Sequence, residues 1–466
     1  MRLVRKTRCP LRISEEHHEH HSRQTTDDPG HAPGNRIRLA GQRLARPRRE
    51  PGRLCRHRGP GPLRPRRGAR HLRLPLPARQ PRDHSLHGGG GIPQATMDPV
   101  VTIAALARET SRIGFVATGT TTFNEPYNIA RQYKALDVIT HGRFGWNAVT
   151  TADPAAAANF GQTIAERPVR YGRAHEVIQT VQALWGSWGE DAWTRDKATG
   201  RFVDMDRVRP VNLRGEHVAS QGPLPIPPSE QGQPVIFSAG GGEYGLTIAG
   251  RYASGVIGAA FTIEDARAQR DAVRRAARQY GRNPEEVKFF AGLMPLIGAT
   301  VEDALARRRQ LDEVSAPQRV PYLGAMLGLD LEPEQIDRPL TAGELTDARP
   351  SSFDPRSRHA LSIAREGWTI RDILAHGVID YHPTPVGPPS VVADHMQQWF
   401  EAGACDGFWI SPDVNQDGID TFVDEVVPIL RERGLFHHDY RGTTLREHLE
   451  VPPQYGLDPR VMRDAQ

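Results

Sequence analysis

This 466-residue sequence predicts an α/β fold built on parallel strands, and three observations carry the prediction. The stretch Arg112–Thr151 reads as a strand, a helix and a second strand, the repeat unit of parallel sheets. Six short apolar runs suit buried parallel strands: Ile113–Ala117, Phe144–Thr150, Val235–Ala239, Gly255–Ala259, Val287–Ile297 and Asp406–Ile410. A (β/α)8 TIM barrel needs eight strands over about 250 residues or more. Two are short, and about 90 residues without a fold signal lie where the first two βα units belong. The fold class predicted is therefore α/β, a (β/α)8 TIM barrel lacking its first two βα units.

Charge separates that first segment from the rest. Met1–Gly90 holds 22 Lys+Arg, 21 of them Arg, against 7 Asp+Glu, a net charge of +15, while the other 376 residues carry −10. No Phe, Tyr or Trp precedes Phe115, and runs such as Gly59–Gly68 are dense in Arg, Pro and Gly. Such a composition cannot bury enough apolar area to offset its chain entropy. Residues 1–94 are read as a disordered segment. Its mixture is what a GC-rich coding sequence yields out of frame, which is preferred over a basic tail or a nucleic-acid arm. A barrel domain is expected over 95–440, with insertions near 201–233 and 324–357, followed by a C-terminal tail over 441–466.

The elements follow in order. Pro99–Glu109 reads as the helix before the first recognised strand. After Ile113–Ala117 comes the hydroxyl-rich loop Thr118–Thr122. A helix then opens with Pro126 in its first turn, its apolar face formed by Ile129, Tyr133, Leu136, Val138 and Ile139. His141-Gly142 closes it. Gln162–Trp188 reads as a long helix approached by a loop, with Val177, Ile178, Val181, Leu184 and Trp185 on one stripe; Trp185 and Trp188 are read as packing residues. Arg201–Gln233 is an excursion outside the barrel. Val235–Ala239 ends in Gly240-Gly241-Gly242 ahead of a helix, an arrangement whose backbone N–H groups can hold an anion. Helices are expected over Thr262–Tyr280, Val301–Glu313, Leu361–His376, Ser390–Ala402 and Phe422–Arg433. In the fourth of these, Val391, Val392, Met396, Trp399 and Phe400 are expected to face inward. Gly324–Ser357 reads as irregular, and the polar residues after His437 as a tail over the surface.

Several chemistries are excluded. Cys9, Cys55 and Cys405 offer neither a disulfide framework nor metal-ligand spacing, and the histidine runs lack partner carboxylates. There is no Gly-x-Ser-x-Gly elbow, no P-loop and no dinucleotide fingerprint opening a βαβ unit. No run reaches the ~18 apolar residues of a membrane span. The chain reads as cytoplasmic, with no membrane and no nucleic-acid partner. An enzyme without its own strong nucleophile or metal often borrows its chemistry from a cofactor.

The stretch RIGFVAT-x-TTTFNEPY-x-x-AR from Arg112 resembles a known family, and so do LD-x-x-x-x-GR-x-x-WN-x-VT and Asn159–Gly161 (NFG). Further matches are Arg170-Tyr171, Leu184–Trp188, Gln231–Ile236, Gly387–Phe408 and Val426–Phe436. Together they resemble the flavin-dependent monooxygenases of the bacterial luciferase-like superfamily, in the nitrilotriacetate, dibenzothiophene-sulfone and pristinamycin monooxygenase branch, over roughly Pro99–Leu449. The resemblance implies an enzyme that takes reduced FMN from a separate NAD(P)H-dependent flavin reductase and uses O₂ to oxygenate a small organic substrate. It also implies a homo-oligomer, dimer or tetramer. By the same resemblance Thr118 and Thr120 line the pocket, Asn147 and Thr150 sit near the flavin, Tyr171 reaches the FMN phosphate, and Gly241 and Gly242 cradle it. No side chain is singled out as catalytic and no metal is expected.

The chain departs from the pattern in three places. Gly241-Gly242 stands where many members carry a Ser pair. Arg167 stands where many have His, and can itself pair with a phosphate. Without the first two βα units, an acidic residue facing the flavin is also lost, strand edges are exposed, and poor folding or poor FMN retention is expected. Two alternatives are kept: an F420-dependent oxidoreductase on the same barrel, against which the WN-x-VT and NFG motifs argue, and an inactive barrel remnant with a basic N-terminal arm.

Overall fold

In the computed structural model of the chain, residues 97–414 and 417–462 are described, together with the backbone of one strand at Arg2–Arg5. Among the described residues seven parallel strands form the main sheet: β1 (Arg2–Arg5), β2 (Phe115–Thr120), β3 (Phe144–Val149), β4 (Val235–Ala239), β5 (Gly255–Ile257), β6 (Lys288–Leu293) and β7 (Gly407–Ile410). Their order is β1-β7-β6-β5-β4-β3-β2. Helices follow the strands on the outside, as right-handed parallel crossovers require. β1 is a strand that the sequence count did not include: Arg2–Arg5 pairs with Gly407–Ile410. The remainder of the expected out-of-frame segment, and with it the expected loss of βα units, lies outside the described residues.

Each wall of the barrel has its own apolar layer. The helices α1 (Pro99–Leu106), α2 (Pro126–Ile139), α3 (Pro154–Ala158) and α4 (Arg167–Trp185) follow the first strands. Phe115, Ala117, Phe144 and Trp146 alternate outward from β2 and β3 and pack on Ile129, Tyr133 and Leu136 of α2 and on Val177, Val181 and Trp185 of α4. A buried side chain of this size contributes roughly 1.5–3 kcal/mol. Trp185 and Trp188 are packing residues, as read from the sequence, with indoles donating to the carbonyls of Ala130 and Leu224. The opposite wall packs β5, β6 and β7 against α5 (Gly242–Tyr252), α6 (Ile263–Gln279) and the later helices.

Two expectations are corrected. After α7 (Val301–Asp312), a helix as expected, Gly324–Ser357, read as irregular, is helical in part: it holds the end of α8 (Ala316–Leu327), all of α9 (Ala342–Asp347) and the start of α10 (Arg356–Arg365), and α11 (Ile370–Ala375) follows. α8, α10 and α11 share a core of their own, including Val320, Leu323, Leu361 and Ile373. Side-chain caps start the short ones, Thr341 with Glu344 and Thr369 with Asp372, and so offset the weak propensity of Pro- and Asp-rich sequence. The single helix expected over Leu361–His376 is broken at Gly367, whose φ is +86°.

The C-terminal residues do not run over the surface. The barrel interior is filled by Val235, Phe237, Phe290 and Trp409, and its floor is closed by α15 (Leu445–Leu449) through Leu445, Leu449 and Val451; α12 (Pro389–Glu401), α13 (Asp417–Thr421) and α14 (Val427–Glu432) precede it. Arg446, 5% exposed, donates to the carbonyls of Gln233 and Pro452 and to Gln454. Beside it a buried polar cluster holds α2 to the floor. Asp137 accepts from Ser229 and Gln231, and Lys134 pairs with Asp137 and the Gly232 carbonyl. Polar sequence can be buried this way because every charge in the cluster has a partner.

Candidate functional site

In parallel barrels binding groups gather at the C-terminal strand ends, and the family-implied residues lie there. Thr118 and Asn147 are cross-strand partners on β2 and β3. The Asn147 amide donates to the Thr118 hydroxyl at 3.0 Å. Asn147 is 4% exposed, and its Oδ1 has no hydrogen-bond partner among the described residues. Thr120 serves a different end: its hydroxyl is 2.8 Å from that of Thr151 and accepts from the Thr122 N–H. It ties the two strand ends together, beside the bond from the Thr121 hydroxyl to the Val149 carbonyl.

A cleft opens between these strand ends and the helices α4 and α5. Thr121, Thr150, Tyr171, Ser238, Ala239 and Gly245 are among its lining residues. One rim of this region is the start of α5. Gly241 is its N-cap and contributes no side chain, Gly242 has φ +74° and Gly240 has φ +144°. Only glycine reaches such conformations at low cost. A Cβ at Gly240 or Gly241 would meet nothing within 4 Å, so the approach to the backbone is open. Arg167, the first residue of α4, lies across this rim. Its guanidinium carbon is 5.7 Å from the Tyr171 ring centroid and 5.3 Å from that of Tyr244. The two rings stack at 5.1 Å. Built onto Gly242, a Cβ would come 3.2 Å from the Arg167 Nη2. Helix N-terminus, open backbone N–H groups and a guanidinium together favour an anion, and the exposed carboxylate of Glu243 in the first turn of α5 opposes it only through solvent.

Thus Thr118 and Asn147 form one unit, and Arg167, Tyr171, Gly241 and Gly242 form another, with Thr150 in the cleft beside Tyr171. Ser238 and Tyr244 belong to the same region and were missed in the sequence. Tyr244 could have been found from its place in the first turn after the glycine run. His382 was also missed. It is 2% exposed, its ring stands 4.8 Å from that of Trp409, and it lies on β6 at Gly292, where any Cβ would collide with the imidazole. The loop bearing it is held by Asp380, which accepts two bonds of 2.8 Å from Arg308 and one of 3.2 Å from Arg319. Burial pushes the Asp380 carboxyl upward, but Arg308 and Arg319 outweigh it and hold it below the usual range. Among the described residues there is no cluster of His, Cys, Asp or Glu that could hold a metal ion, and no helix long and apolar enough to cross a membrane.

Comparison with known proteins agrees with this fold. The luciferase-like monooxygenase family model matches residues 81–405. An N-acetyl-S-(2-succino)cysteine monooxygenase of Bacillus subtilis (strain 168) is 39% identical over 378 residues, 79% of this chain and 83% of its own. Nitrilotriacetate monooxygenase component A of Aminobacter aminovorans is 38% identical over 362 residues, 77% of this chain and 79% of its own. Among solved structures, EDTA monooxygenase (EmoA) from Chelativorans sp. BNC1 superposes with a TM-score of 0.65 at 33% identity, covering 77% of this chain and 83% of that one.

Proposed function

Because the chain belongs to the luciferase-like monooxygenase family, we propose that it binds reduced FMN at the strand ends and uses it with O₂ to oxygenate a small organic substrate. The reduced flavin would come from a separate NAD(P)H-dependent flavin reductase, and the working form would be a homo-oligomer. The observation that carries this reading is the rim at α5. There an open run of glycine N–H groups, a helix N-terminus and Arg167 converge on one place, the requirements of a phosphomonoester.

The residues present fit the cofactor. Gly241 and Gly242 offer backbone N–H groups to the phosphate, and Arg167 supplies the charge that a hydroxyl pair would not. Tyr171 and Tyr244 hold the guanidinium across their ring faces, which fixes its place over the helix end. Thr118 and Asn147 offer polar atoms to the ring system. The apolar interior below, with Phe237, Phe290 and Trp409, excludes water from the floor of the site. Bound reduced FMN supplies the electrons that activate O₂, and the protein positions it and shields it.

An anaerobic titration of the full chain with reduced FMN tests the reading: micromolar binding supports it and overturns the poor FMN retention expected from the sequence. Arg167→Ala should weaken FMN binding about tenfold, the size of one charge-assisted contact, and leave riboflavin binding unchanged. Equal losses for FMN and riboflavin would remove Arg167 from the phosphate site. Absence of any flavin binding by the parent chain would end the reading altogether. O₂ uptake with an added flavin reductase and NAD(P)H, and light scattering for the assembly, test the rest.

A further inference from the structure

We propose that His175, one turn beyond Tyr171 on α4, is a positioning residue that keeps the phosphate grip in register by clasping α4 to α5. The inference rests on the FMN reading above and names what holds the two halves of that grip together. The halves come from different helices. Arg167 and Tyr171 belong to α4, while Gly241, Gly242 and Tyr244 form the start of α5. A phosphate held between them is sensitive to any change in the spacing or angle of the two helices.

On α4, Arg167, Tyr171 and His175 stand four residues apart, so they share one face at steps of about 6 Å. Against that face α5 sets Tyr244 and, eight residues on, Tyr252. The helices therefore meet twice. At the rim Tyr171 and Tyr244 stack, with Arg167 across both rings. Farther along, the His175 ring lies 5.7 Å from that of Tyr252, and its Nδ1 is 2.6 Å from the Tyr252 hydroxyl. Arg251 donates from Nη1 to the His175 Nε2 at 3.3 Å. Two points of contact fix an angle, where one leaves a pivot.

The end of α5 that His175 grasps is itself anchored. Gly250 packs so closely on α6 that a Cβ there would come 2.7 Å from that of Ala276. Arg282 donates to the carbonyls of Gly250 and Ala249 at 3.1 and 3.4 Å, at the C-terminal end of α5, where the helix dipole favours a cation. The Arg251 guanidinium carbon lies 4.6 Å from the ring centroid of Tyr280, the C-cap of α6. His175 thus ties α4 to a fixed point. Val177, Val181 and Trp185 keep the far part of α4 on the sheet, so losing His175 loosens its first turns against α5. Arg167 then drifts from the Gly241-Gly242 backbone. The strand ends of β2 and β3 take no part in this clasp, so the loss falls on the phosphate alone.

Anaerobic titration of the full chain with reduced FMN and with reduced riboflavin tests this. His175→Ala should weaken FMN binding about three- to fivefold, part of what loss of Arg167 itself costs, and leave riboflavin binding unchanged. His175→Gln, whose amide can accept from Arg251 and donate to Tyr252, should recover most of the FMN affinity. In an Arg167→Ala background His175→Ala should cost nothing further, because the group it positions is gone. Tyr252→Phe, which keeps the ring and removes the hydroxyl, should show a smaller loss confined to FMN, and decides the matter if His175→Ala fails to fold. Unchanged FMN affinity, equal losses for FMN and riboflavin, or a full added loss on top of Arg167→Ala overturns the inference and leaves the FMN reading standing. Binding of neither flavin by the parent chain overturns both.

Discussion

Gly292 shows how much a single residue can decide. Its backbone φ is ordinary, and it is glycine for space, because the imidazole of His382 occupies the position of a Cβ. Gly292→Ala should push His382 off Trp409 and cost about 1–3 kcal/mol, as overpacking does. In a His382→Ala background the same substitution should cost much less, a non-additivity read from urea denaturation of the two single variants and the double. None of this was legible in the sequence, where Gly292 and His382 stand 90 residues apart. The positions of Asn147 on β3 and Tyr171 beside the cleft were legible because their motifs are local. The commitment of Thr120 was not, since its partner Thr151 arrives from the neighbouring strand.

At the scale of elements, the reading of α12 held for Val392, Met396 and Trp399, which are buried, and for Phe400, which packs against the same cluster. Val391 is turned outward, 38% exposed, because it precedes the face that period 3.6 sets for its neighbours. The apolar pattern also hid His395, which stacks on Trp399 at 5.2 Å. Burial pulls its pKa down from 6.5 to about 4. The unfolded chain therefore takes up a proton below pH 6.5 that the folded chain refuses until pH 4. Stability falls as pH drops through that window, by up to about 3 kcal/mol, and above pH 6.5 this group has no effect. His395→Phe should remove this component. Denaturation midpoints at pH 7 and pH 4.5 should converge in the variant relative to the parent, and a parallel fall in both proteins would refute the assignment. The insertion was misread in part for a different reason: α9 is 6 residues long and capped at Thr341, so it leaves no window long enough for a periodic signal.

For the whole molecule, the parallel strands followed from local apolar runs, and the sequence reading placed six of the seven among the described residues. The floor did not follow. Arg441–Val451 is polar on average, and its apolar residues Leu445, Leu449 and Val451 reach the interior. Burial of Arg446 depends on acceptors more than 200 residues earlier, which no local pattern reveals. Leu445→Ala should cost about 2–5 kcal/mol, the range for a buried leucine with incomplete collapse. A drop of that size in thermal unfolding, with the flavin site's affinity retained at low temperature, would confirm that α15 supports the barrel from below and takes no part in binding.

The same helix sets a timetable for synthesis. Gln231 is bound by Asp137 ahead of it and by the Arg446 N–H 215 residues behind it. A nascent chain that has already assembled β2, β3 and β4 must keep the apolar underside of its barrel uncovered while more than two hundred further residues are made. Contacts of such sequence separation form late and slowly. In that interval the uncovered Val235 and Phe237 are the surface a chaperone would hold, and the surface through which unfinished copies would aggregate.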